Sequence, residues 1–191
     1  MPVTATCYLK SMSPYSQSKH HDEPKRPKEG ANDYEKRTWR FRSHTDKKGM
    51  IHLPGTQIKE AIVEAALYLS EKIPGKGSAT YSKHFTAGLM VRGNIPLDVH
   101  RDKVECEEIY AHANGRRGSG SRVTRFYPRV DSWAGSIDVV IVDSTITQEV
   151  FNRTLETAGL LIGVGRWRPR NRGEFGRFIV EKIAWAEALV A

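Results

Sequence analysis

The sequence predicts an α+β domain made of two strand–helix–strand halves. Three observations carry that prediction. Ile58, Ala61, Ile62, Ala65, Ala66 and Leu69 recur at helical spacing, and so do Val150, Phe151, Leu155, Ala158, Leu161 and Ile162. Stretches rich in β-formers flank both helices, at 3–12 and 85–91 around the first and at 137–142 and 178–183 around the second. Read in order, they give a βαββαβ plan of the ferredoxin-like or RRM-like kind, in which both helices cover one sheet face. The third observation is a long polar insertion after the first strand. A chain of 191 residues is expected to form one domain, 1–191, large enough to bury a core without disulfides or metals.

Each element follows from local chemistry. Residues 3–12 alternate loosely and make the first strand. Residues 13–48 are polar, charged and proline-bearing, with Tyr15, Tyr34, Trp39 and Phe41 as scattered aromatics. They read as a flexible basic insertion, with nine Lys/Arg against six Asp/Glu from Asp22 to Lys48. Within it, residues 38–42 alternate as a short strand or hairpin arm would. Thr56 is the expected N-cap of the first helix. That helix is expected to end near Lys72, before Pro74 and Gly75. Residues 76–80 form a connector and 85–91 a strand. Residues 104–110 fit strand or helix. Residues 114–121 are a loop by composition. Residues 122–130 alternate as a strand, and 137–142 read as a strand buried on both faces. Thr145 or Thr147 caps the second helix.

Charge narrows the function. The net charge is +8 and the pI near 9.6, which points to a polyanionic partner. Nothing resembles a signal peptide, and no run of 18 apolar residues exists to span a membrane. Cys7 and Cys106 stand alone, as in a reducing compartment, so the expected location is the cytoplasm. The sequence holds no metal motif, Walker loop or dinucleotide fingerprint, so neither cofactor nor metal is expected.

The most informative stretch is 163–177. It holds five arginines, four glycines, one tryptophan and a single acid. Arginines pair bidentately with phosphate oxygens, glycines let a backbone approach a ligand, and a flat aromatic suits stacking on a base. Arg166, Trp167, Arg168, Arg170, Arg172 and Arg177 are therefore candidate nucleic-acid contacts. A second window, 115–129, holds Arg116, Arg117, Arg122 and Arg125, together with Arg129, and no acid. His20 and His21 lie in the insertion, where a histidine is placed to act as general base on a ribose hydroxyl.

Two segments carry a family resemblance. Leu53-Pro54-Gly55-Thr56-Gln57-Ile58-Lys59-Glu60-Ala61 resembles the proline-glycine helix start of RAMP proteins, the ferredoxin-fold RNA-binding proteins of CRISPR effector complexes. The run 161–178 resembles their glycine-rich loop before the last strand. The match covers about thirty residues, and Glu60 stands where the family pattern often has glycine. The resemblance implies that Thr56, Gln57 and Lys59 line an RNA track with the loop, and that residues 13–48 act as a finger or thumb. The function expected is non-catalytic binding of RNA or single-stranded DNA, as a homo-oligomer along the strand or as a subunit of a ribonucleoprotein. Two alternatives stand beside it: a metal-independent endoribonuclease using His20 or His21, and an interaction protein that mimics a subunit of a nucleic-acid complex.

Overall fold

The computed structural model describes residues 1–112 and 122–187. The strands are β1 (Val3–Ser11), β2 (Tyr15–Ser16), β3 (Met50–Pro54), β4 (Leu89–Arg92), β5 (Asn94–His100), β6 (Glu105–His112), β7 (Arg122–Val130), β8 (Ala134–Ile141) and β9 (Phe178–Glu187). The α-helices are α1 (Ala31–Thr38), α2 (Gly55–Leu69), α3 (Ser82–Gly88) and α4 (Gln148–Thr157). A π turn, Ala158–Ile162, extends α4.

The main sheet has the order β4-β8-β1-β9, antiparallel throughout. Its register explains its core. Cys7 lies opposite Ile137 and Ile183, Ala5 opposite Val139 and Trp185, and Val91 opposite Val139. Side chains alternate along a strand, so this register gathers the apolar set on one face. There it meets Ile58, Ala61, Ile62 and Ala65 of α2 and Phe151 and Leu155 of α4, all with no exposed surface. Phe151 and Trp185 close the contact edge to face, centroids 5.6 Å apart. Two smaller sheets flank this layer, β2-β7-β6 and β3-β5.

The helix boundaries differ from the expectation in instructive ways. Thr56 is not the cap of α2. The helix begins at Gly55, and its first amide donates to Asn94 Oδ1 at 3.0 Å, a partner 39 residues away. The helix stops at Leu69, because Ser70 turns left-handed (φ 47°) and its hydroxyl donates to Leu67 O. Thr147 does cap α4, accepting from Val150 N. Of residues 104–110, 105–110 lie in strand β6.

Two strand assignments are corrected. Residues 85–88 are helical, and the strand begins only at Leu89. Phe85 supplies the buried side of a single helical turn region, and Gly88 lets the chain pass Asp143, 2.6 Å from where a Cβ would stand. Residues 39–42 form a 3-10 turn rather than a hairpin arm. Their alternation follows a different cause. Trp39 is buried while Arg40 stacks on its ring, and Arg42 reaches Glu35.

The insertion holds β2, α1 and this turn. It is tied to the second sheet by a buried carboxylate. Glu35 accepts from Arg42 at 2.8 Å and from Arg125 of β7. Gln17, also buried, links Tyr15 OH, His52 O and His44 N. A buried polar group of this kind needs its partners, and these come from Tyr15, His44 and His52.

Candidate nucleic-acid interface

The glycine-arginine loop is folded onto itself. Val164 N donates to Gly176 O, Phe175 N to Trp167 O, and Gly173 N to Arg168 O. It is also stitched to β2, with Arg166 N donating to Ser16 O and Gly176 N to Pro14 O. Gly165 is left-handed (φ 76°), and a Cβ there would lie 2.5 Å from Ser16 O and from the Tyr15 ring. The glycines therefore serve close approach of chain to chain, not of backbone to ligand. With these amides turned inward, what the loop offers outward is its side chains.

Those side chains fall into two groups. Arg166 is a half-buried connector. Its guanidinium pairs with Glu107, donates to Ser16 Oγ at 3.1 Å and lies 4.0 Å over the Tyr127 ring. Burial and the neighbouring Arg42 pull its pKa down to about 10, so it stays cationic at neutral pH. Arg168 donates to Glu64 of α2 at 2.6 Å. Arg177 donates to Leu160 O. Arg170 and Arg172 are exposed. Arg170 reaches Glu64 only at 3.5 Å, and Arg172 makes no side-chain hydrogen bond or ion pair among the described residues. Trp167 stands 45% exposed at φ 55°, its ring edge-on to Phe175. A bulky residue at positive φ is held there by its surroundings.

The structure brings the loop against the start of α2. An open cleft of about 270 Å³ is lined by Gln57 and Glu60 of α2, by Gly165, Arg166, Arg168 and Asn171 of the loop, and by Lys19 and His44 of the insertion. Gln57 is held there by Tyr15 OH at 2.8 Å. Thr56 is exposed and Lys59 half-buried on the same first turn, outside the cleft lining. Lys19 and His44 were missed in the sequence because nothing local separates them from other insertion residues. Their position depends on contacts with residues far along the chain.

The second arginine window divides differently. Arg122 is exposed, its guanidinium 5.8 Å from the Tyr110 ring. Arg125 pairs with Glu35. Arg116 and Arg117 lie outside the described residues.

His20 and His21 do not converge on one site. His20 is exposed and 3.0 Å from Asp22. His21 packs near Tyr34 and Phe41. His44 and His52 face each other, centroids 6.3 Å apart. No cluster fit to hold a metal exists among the described residues. Likewise no described helix is long and apolar enough to cross a membrane. Burial lowers the pKa of His21, His44 and His52 below the ordinary 6.5. The unfolded chain then binds more protons in the window just below pH 6.5, and stability rises with pH across that window. The urea midpoint is expected to be lower at pH 5.5 than at pH 7.5, levelling off near pH 7. A midpoint unchanged between the two would show that these rings are not held neutral by the fold.

No protein-family model matches this sequence, and no curated protein matches it. Solved structures do. One is a chain in the cryo-EM structure of the Type III-B Cmr-beta bound to cognate target RNA, with a TM-score of 0.53 and 10% identity over 97% of this chain. This protein spans 61% of that chain's length. Another is the crystal structure of Cmr6 from Pyrococcus furiosus, 14% identical over 94% of this chain and 98% of that one, with a TM-score of 0.47. At such low identity the first likeness is one of architecture: this protein shares the α+β fold of the Cmr-beta chain.

Proposed function

We propose that this protein binds single-stranded RNA without cutting it, as a RAMP-like subunit of a ribonucleoprotein. The observation that carries the reading is the cleft between the start of α2 and the glycine-arginine loop, lined by Lys19, Arg166 and Arg168. Arg166 and Arg168 are held in its wall by Glu107 and Glu64, while Lys19 makes no ion pair among the described residues. Arg170 and Arg172 extend from the same loop into solvent. The net charge of +8 favours a polyanion. The fold shared with a chain of an RNA-bound assembly favours RNA as that polyanion. We read the order β4-β8-β1-β9, with α2 and α4 on one face, as a ferredoxin-like core.

The test is fluorescence anisotropy with labelled RNA and DNA oligonucleotides across a salt series. RNA is expected to bind more tightly than DNA, with affinity falling steeply as salt rises. Arg170→Ala with Arg172→Ala removes two phosphate contacts and leaves the paired arginines Arg166 and Arg168 in place. For single strands that lowers the salt slope by about 1.4 and affinity at 0.15 M salt by about fifteenfold. Absence of salt-dependent binding by the wild type would sink the reading. Gel analysis of the same RNA serves the rival: cleavage lost in a His20→Ala, His21→Ala variant replaces binding by catalysis.

A further inference from the structure

The cleft just described does not end at the insertion. A second open cleft of about 350 Å³ lies beyond it, and the two share Ser18 and Lys19 as a common wall. A third, of about 280 Å³, shares Tyr34, Glu35 and Arg125 with the second. Together they link the glycine-arginine loop to Val123 on β7, close to the second arginine window. Arg166 and Arg168 of the loop thus line one end of this line of clefts, and Arg125 of β7 lines the other.

The chemistry along this line changes in a regular way. The second cleft is lined by the His21 and Tyr34 rings and by Arg42. The third has the Tyr34 ring and Lys25, whose ammonium lies 5.8 Å from that ring's centroid. Arg42 and Arg125 are already engaged by Glu35 and hold the wall rather than a ligand. Lys19 and Lys25 are different. Both are exposed, and neither makes an ion pair among the described residues. Cations free of ion pairs, in clefts that also hold aromatic rings, are what a single strand needs, phosphates on the cations and unpaired bases against the rings.

We infer that the bound strand continues from the first cleft across Lys19 into the second and third, so that residues 18–35 of the insertion form a second nucleic-acid subsite. The inference rests on the proposed binding of RNA and extends it. Lys19, at the shared wall, contacts a phosphate whatever the length of the strand. Lys25, in the third cleft, contacts one only when the strand is long enough to arrive there.

Length makes the test. Affinities are measured for oligouridylates of about 4 and about 12 nucleotides, lengths within the range that such grooves hold. Each lost phosphate contact on a single strand lowers the salt slope by about 0.7, which corresponds to about fourfold in affinity at 0.15 M salt. Lys19→Ala is expected to weaken both oligomers about fourfold. Lys25→Ala is expected to weaken only the longer one, by the same factor. Both residues are exposed, so the fold is retained, and circular dichroism checks it. If Lys25→Ala leaves the longer oligomer unaffected while the Arg170, Arg172 variant loses affinity, the extended track is overturned and RNA binding stands. If the wild type binds neither oligomer, the proposed function itself falls.

Discussion

Gly176→Ala is expected to lower the stability of the protein by about 3 kcal/mol or more. Two effects add at this position. Gly176 is left-handed, φ 75°, a conformation that costs an L-residue about 1–2 kcal/mol. A Cβ there would also stand 1.9 Å from Val164 O, and an overpacked site typically costs a further 1–3 kcal/mol. That oxygen is backbone and has no rotamer to escape into. The residue cannot move away either, because its amide donates to Pro14 O and its carbonyl accepts from Val164 N. For a chain of this size the loss corresponds to a fall in Tm of about 6–12 °C. Gly75→Ala is the matched control. It has the same hand of backbone, φ 74°, but nothing within 4 Å of the added methyl. Thermal melts of the two variants separate conformation from contact: an equal fall in both would show that the packing of residues 163–177 against each other does not matter.

The same loop shows where a sequence is legible. Its place between α4 and β9 was readable, because the apolar periodicity of 150–162 and the β-rich run at 178 bracket it. The two helices of the core and most of their apolar faces were readable for the same reason; Leu161, read as core, is exposed in the π turn that ends α4. Periodicity is a local property, and burial on one face imposes it. What the glycines and arginines do was not readable from composition. Gly165 and Gly176 meet β2, Pro14 and Val164, so their role depends on a contact 150 residues or so away in the chain. Arg166 and Arg170 look alike in the sequence, yet one is a half-buried connector and the other is exposed. The acids that make the difference, Glu64 and Glu107, sit in α2 and β6 and carry no mark of it.

The insertion failed for a related reason. Thr38-Trp39-Arg40-Phe41-Arg42 alternates like a strand, but its period comes from Trp39 turning inward while its arginines find an aromatic face and a carboxylate. A 3-10 turn of four residues satisfies both demands. Short alternating runs without neighbours of known pairing carry little weight against such local solutions. Lys19 and Lys25 became visible as candidate contacts only once the clefts on either side of them were in place.

Arg166→Ala is expected to be the second severe variant, and for a reason unrelated to ligand. The guanidinium and Glu107 are each only 15% exposed. Removing the cation leaves a desolvated carboxylate without its partner, a loss of about 3–5 kcal/mol for a buried pair. It also strips the Tyr127 face and the Ser16 hydroxyl of their contact. Removing both charges avoids that penalty. Arg166→Met with Glu107→Leu keeps the volume and leaves no orphan, and such exchanges are commonly neutral or stabilising. The double variant is therefore expected to melt near the wild type, while Arg166→Ala alone melts far below it. The double variant also separates two roles for the same arginine. If Arg166 only fastens the loop to β6, the double variant binds RNA as the wild type does at a temperature where both are folded. If Arg166 also reaches a phosphate through the cleft it lines, affinity falls by the factor of about four that one lost contact carries, with no change in Tm to explain it.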